Sequence, residues 1–166
     1  MLDEESKKIR ERKCENISLI QADDKTVWDK LECSFDRITA AGVIQYLTLQ
    51  EIDNFIFNAS SYLNKDGKIV LFDILDPRLH PLWKIGLFSQ DANLWKILRK
   101  IGFEFKVILS ASLNNRPRDI VGFSHNPYAI RKIVEKHGFE TIFVQSMYYE
   151  YKYHAIISRT SEAREF

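Results

Sequence analysis

Apolar positions along the chain switch between two spacings, and the switches mark out the elements. After a dense mixed-charge run over residues 3–13, which reads as a solvated helix face or a frayed start, "ISLIQADD" (17–24) predicts a strand running into a loop. "TVWDKLECSFD" predicts a short helical turn, and "RITAAGVI" (37–44) a second strand, whose small residues Ala40, Ala41 and Gly42 leave room beside its carboxyl end. Thr48 with Glu51 three residues on is a capping-box pattern, and Ile52, Phe55, Ile56, Ala59, Tyr62 and Leu63 then keep helical spacing. "NKDG" predicts a turn, and "KIVLFDI" (68–74) is a continuous apolar run of the kind buried on both faces of a parallel sheet. Strand, helix and strand with short connections make a βαβ unit with a right-handed crossover.

The segment from Pro77 to Val121 is less regular. Within it "NLWKILRKI" places Leu94, Trp95, Leu98 and Ile101 on one helical stripe, while "SLNNRPRD" has the composition of a loop. Regularity returns at Asn126, an N-cap followed by Pro127; Ile130, Ile133 and Val134 continue the helix and Gly138 stops it. "FETIFVQSMYY" and "YKYHAIISRT" predict two strands joined by a short turn, an antiparallel pair.

Composition narrows the class. The 166 residues are 45% hydrophobic and 13% aromatic, enough for one domain with a core, and residues 1–166 are read as a single domain. The 24 basic and 23 acidic residues leave a formal charge of +1, so the chain as a whole carries no field that marks a nucleic-acid or membrane-surface binder. Cys14 and Cys33 lack CxxC spacing, no apolar run approaches the roughly 18 residues of a membrane span, and a cytoplasmic protein is expected. The four histidines at 80, 125, 137 and 154 are too scattered for a metal site.

"FDRITAAGVIQYL" followed by "EIDNFIFNASSYLNKDGKIVLFDI" resembles the class I S-adenosylmethionine-dependent methyltransferases, with Phe35, Asp36, Val43, Leu47, Leu63 and Gly67 in the places of that family's motifs. Lys65-Asp66-Gly67 departs from the family's Pro-Gly-Gly. The resemblance implies an α/β fold: a truncated Rossmann-like sheet, mostly parallel, with a C-terminal antiparallel hairpin and helices on both faces. It also implies that residues 77–121 form a lid or substrate cap. The family's glycine-rich turn and its ribose-binding acid have no counterpart, because the six glycines at 42, 67, 86, 102, 122 and 138 lie elsewhere. The first strand-helix-strand unit is therefore expected to be missing, whether by truncation or in a natural short form.

By the same resemblance Asp23 accepts a hydrogen bond from the adenine, the Asp24 backbone meets the ring edge, and Ala40, Ala41 and Gly42 lie beneath the methionine part of S-adenosylmethionine. Tyr46 shapes the transfer channel and His125 is the candidate base. The rival readings are an ordinary acidic loop for Asp23 and Asp24, core packing for the small residues and for Tyr46, and a singly hydrogen-bonded histidine. Asp73 and Asp76 either orient a substrate or cap the next turn, with the cap favoured. The basic positions Arg131, Lys132 and Lys136 are read as a solvated face, and "MYYEYKY" as strand alternation.

The function implied is methyl transfer to a small-molecule or protein acceptor; the alternative is a methyltransferase-like binding or assembly module that has lost its cofactor. Cofactor binding is expected to be weak or absent, each lost charged hydrogen bond costing at least about tenfold in affinity. No nucleic-acid, membrane or metal partner is expected. Loss of the central strands leaves sheet edges bare, which predicts either "ISLIQA" sliding against "RITAAGVI" or a homodimer across the exposed edge.

Overall fold

The computed structural model describes residues 17–23, 25–88, 93–103 and 122–160. The charged run at 3–13, Cys14, Asp24 and the 104–121 part of the expected lid lie outside the described residues. The chain divides into two compact units, Met1–Ser34 and Phe35–Phe166.

In the first unit, residues 17–23 form no strand, and Ile17, Leu19 and Ile20 are exposed. The strand expected at "ISLIQA" is therefore not seen. Residues become a strand only when a neighbouring strand takes up their backbone N–H and C=O groups; among the described residues the Gln21 carbonyl accepts from Lys30 Nζ and the Asp23 carbonyl from Val27 N–H, and no strand pairs with the segment. A 3-10 turn follows at Trp28–Lys30, with Trp28 buried.

The second unit carries the sheet. Its elements are β1 (Phe35–Ala41), α1 (Leu49–Ser61), β2 (Leu63–Leu75), α2 (His80–Lys84), α3 (residues 94–103), α4 (Pro127–Lys136), β3 (Phe139–Gln145) and β4 (Lys152–Arg159). Strand order is β1-β2-β4-β3, with β1 parallel to β2 and β4 antiparallel to both neighbours. Three strands thus point one way and β4 runs between them in reverse, so the described sheet is mixed, with the one parallel pair β1–β2 and the expected C-terminal antiparallel hairpin β3–β4. The "NKDG" residues belong to β2 but interrupt its pairing: Phe35 faces Leu63 and Arg37 faces Lys68.

Local chemistry starts and stops the two long helices. Thr48 caps α1 in a full capping box, its hydroxyl 3.3 Å from the Glu51 N–H it accepts and its own N–H 2.8 Å from the Glu51 carboxylate. Asn126 caps α4 by accepting from Tyr128 N–H at 2.9 Å, Pro127 opens the first turn, and Gly138 follows at φ +78°. Ile52, Ile56 and Ala59 of α1 and Ile130 and Val134 of α4 are buried at helical spacing. The helices pack on each other, and Asp53 of α1 accepts from Lys136 Nζ and His137 Nε2, both at 2.6 Å.

This pair covers one face of the sheet. The rows beneath it are Ile38-Ile69-Ile157-Thr141 and Ala40-Leu71-Ala155-Phe143, and Arg131 of α4 lies over the Phe143 ring. Alternation sends Thr39, Val70, Ile156 and Ile142, then Ala41, Phe72 and Val144, to the other face, where Phe72, Ile142 and Val144 are exposed.

Candidate functional site

Because β1, β2 and β3 run the same way, the loops after them share one end of the sheet, the end at which open α/β sheets place ligands. After β1 the chain turns at Gly42, whose φ of +67° is left-handed and where an added Cβ would meet nothing within 4 Å. Ala40 just before it is buried and Ala41 exposed. A 3-10 turn, Ile44–Tyr46, then buries Ile44 and leaves Tyr46 64% exposed.

A second segment is stitched to this turn. Phe123 N–H donates to the Gln45 carbonyl at 2.6 Å, and His125 Nε2 is 3.2 Å from the Ile44 carbonyl. His125 N–H donates to the Leu75 carbonyl at the end of β2 (2.9 Å), and the His125 carbonyl accepts from the Tyr153 hydroxyl (2.8 Å). Desolvation pushes the His125 imidazole below its ordinary pKa, so the ring is neutral at pH 7 and donates from Nε2 to Ile44. Burial likewise raises the Tyr153 phenol well above its usual range. Gly122 makes the approach possible: its φ is +101°, and a Cβ there would run into the Gln45 carbonyl oxygen.

The aspartates after β2 behave differently from each other. Asp73 has φ +59°, where the β2–β4 register shifts, and its N–H donates to His154 Nδ1 at 3.1 Å. Asp76 is buried; burial pushes its carboxyl up, but hydrogen bonds from the side chain and backbone of Arg78 outweigh this and hold it below the usual carboxylate range. With Arg78 Nη2 at 2.7 Å and the Asp76 carbonyl accepting from Leu79 and His80, this residue caps the turn into α2.

Ala40, Ala41, Gly42 and Tyr46 are therefore contiguous at the carboxyl end of β1, and His125 is joined to the same turn through Ile44. Asp23 belongs to the first unit, where it is exposed and where Oδ1 accepts from Lys25 N–H (3.0 Å), Thr26 N–H (2.7 Å) and Thr26 Oγ1 (2.7 Å). The Thr26 side chain, then its backbone N–H, hold the Asp23 carboxyl below its ordinary range. Asp24 is outside the described residues.

Two residues at the site escaped the sequence reading. Gly122 stood alone in an irregular stretch, which is the signal of a close backbone approach. Gln45 carried no signal; its Oε1 is buried without a hydrogen-bond partner among the described residues. No group of three or more metal-ligating side chains occurs among the described residues.

No protein-family model matches the sequence, and no curated protein matches it. Solved structures do. Magnesium protoporphyrin IX methyltransferase (ChlM) from Synechocystis PCC 6803 with bound SAH aligns over 96% of this chain and 60% of its own, with 16% identity and a TM-score of 0.54. An O-methyltransferase family protein from Burkholderia thailandensis aligns over 96% and 41%, with 12% identity and a TM-score of 0.58. This is a class I methyltransferase fold in part. The mitomycin 7-O-methyltransferase MmcR repeats the finding over 95% of this chain and 39% of its own, at 10% identity and a TM-score of 0.57. The chain thus spans less than two thirds of the length of each, and at these identities the likeness concerns the fold.

Proposed function

We propose that this chain is an S-adenosylmethionine-dependent methyltransferase, or a portion of one, acting on a small-molecule or protein acceptor. The observation that carries this reading is the open left-handed Gly42 beside exposed Tyr46 at the ligand end of a methyltransferase sheet. The cofactor, when bound, supplies a methyl group on a sulfonium sulfur.

The residues fit that group in part. Gly42 and Ala41 offer a surface free of side-chain bulk for the methionine portion. Asp23 keeps only Oδ2 for an adenine amino group, since Oδ1 is engaged in its own turn. No pair of glycines forms a phosphate-type or nucleoside-type turn. Weak binding follows, which keeps the alternative of a binding module that has lost the cofactor in play.

Tyr46 would wall the transfer channel and exclude water. His125 has two roles open to it. As a base it must take the acceptor's proton on Nδ1, the ring nitrogen not directed at Ile44; as a positioning residue it holds the Ile44–Tyr46 turn in place. Its burial favours positioning, and a His125→Gln variant that keeps the pH profile of transfer while lowering its rate would decide for it.

Bare edges support a homodimer: β1 pairs with β2 alone among the described strands. The exposed thiol of Cys33 supports a reducing, cytoplasmic setting. No described helix is long and apolar enough to cross a membrane.

Calorimetry with S-adenosylhomocysteine tests the reading. Weak, millimolar-range binding abolished by Gly42→Val is expected; no heat at any concentration selects the non-catalytic module, and a tight site indifferent to Gly42→Val puts the ligand elsewhere. Light scattering that shows only the 19.5 kDa monomer removes the dimer.

A further inference from the structure

Helix α3 shows most of its apolar surface to solvent. Leu94, Leu98 and Ile101 follow one another at the four- and three-residue steps that align on one helix side, and all three are exposed, Leu94 at 69%. Lys96, Arg99 and Lys100 occupy the opposite side together with the exposed Phe103, and no acid occurs between 94 and 103. Trp95, 80% exposed, lies on the border between the two. Only Ile97 is withdrawn from the surface to an intermediate degree.

A neighbouring region has similar character. A cleft of about 330 Å³ brings Lys100 of α3 together with Trp83, Lys84, Gly86 and Phe88 around the end of α2 and with Glu150 of the β3–β4 turn. Trp83, Leu87 and Phe88 are exposed as well. Large contiguous apolar surface is rare on soluble chains unless something covers it.

We propose that α3, with the adjoining end of α2, is a docking surface for an anionic lipid bilayer. Two features select that occupant. The charged side chains of α3 are all basic, so they complement a negatively charged surface; and Trp95 stands where an aromatic with one polar atom sits in a headgroup region, its ring apolar and its N–H wet. The chain's formal charge of +1 averages this local feature away, which is why the sequence reading expected no membrane partner. The helix is far too short to span, so the contact is with the surface. The proposal is independent of the methyltransferase reading.

The test is flotation of the whole chain with vesicles of phosphatidylcholine alone and of phosphatidylcholine doped with phosphatidylglycerol, with tryptophan emission as a second readout. Binding to the doped vesicles, a blue shift and loss of both at high salt are expected. Lys96→Gln, Arg99→Gln and Lys100→Gln together should lower partitioning by roughly a hundredfold, at about 1 kcal/mol per charge. Leu98→Ser should lower it on the doped vesicles too, and both variants should keep the parent's circular dichroism and melting point because the positions are exposed. Equal flotation of parent and variants, or none for the parent, overturns the proposal. A self-association that Leu98→Ser abolishes, in a chain that ignores vesicles, overturns it in favour of a second copy on this face.

Discussion

Leu71 and Phe72 are consecutive on β2 and meet different surroundings. Leu71 points under α1 and α4 and is fully buried, in a row with Ala155 that is closed by two capped helices and the Asp53 ties to Lys136 and His137. Phe72 points to the opposite face, stays exposed, and has the His154 ring at 5.2 Å as a neighbour. Both faces are apolar, yet only one is built shut by the described elements. A sheet whose residues are apolar on both sides is written for two layers of cover, and the second face is where stability should depend least on the chain described here.

The widest gap between the faces should appear on truncating one side chain from each. Leu71→Ala removes a buried side chain from a closed row and should cost about 2–5 kcal/mol, whereas Ile142→Ala, on the open face at 61% exposure, should stay within about 0.5 kcal/mol. Urea unfolding of the two variants checks this. Equal losses would mean that the open face is covered in solution, which a concentration-dependent midpoint would trace to a second copy.

Next in size is the stitch at the ligand end. Gly122→Ala places a side chain at φ +101° against the Gln45 carbonyl, which should cost about 1–3 kcal/mol and loosen the Ile44–Tyr46 turn. The midpoint of thermal unfolding reads the cost, and faster amide exchange at Phe123 reads the loosening. A neutral Gly122→Ala would show that the Gly122–His125 segment is not held against this turn.

Thr48→Ala should cost about 1 kcal/mol by removing one half of the capping box that starts α1. Since α1 is part of the lid on the closed face, this loss should add to that of an open-face variant such as Ile142→Ala. Marked non-additivity in chemical denaturation would join the two faces energetically.

How far the sequence revealed this arrangement depends on how local the chemistry is. The Thr48–Glu51 box and the Asn126-Pro127 start are written within four residues, and both appear where they were expected. "ISLIQA" has strand composition but no strand, because pairing is supplied by a neighbour and not by the segment itself. "KIVLFDI" reads as one unbroken strand, and nothing in it marks Asp73 as the point where register with β4 shifts, since that depends on His154 far along the chain. At the site, Gly42 and Tyr46 were legible from the strand that leads to them. The clasp between Gln45 and Gly122 was not, because it joins segments separated by an irregular stretch whose path the sequence does not state.

The smallest effect at neutral pH separates His125 from the carboxylates of the same fold. Its imidazole is held below the ordinary 6.5 by desolvation, so the folded state resists protonation while the unfolded chain takes up a proton as pH falls through 6.5. The unfolded state then binds more protons, and stability rises with pH in that window. The contribution is fully present above 6.5 and is lost progressively as pH drops toward the depressed folded value. The Asp53 carboxyl, held low chiefly by the hydrogen bond from Lys136, acts in the same direction but only below its ordinary 3.8. Unfolding free energy should therefore begin to fall just below pH 6.5, well before the carboxylates contribute. His125→Gln, which can still donate to the Ile44 carbonyl but does not titrate, should flatten the slope in that first window and leave the fall below 3.8 in place. A slope below pH 6.5 that His125→Gln leaves unchanged would assign that proton to another group and leave the neutral clasp on Ile44 without thermodynamic support.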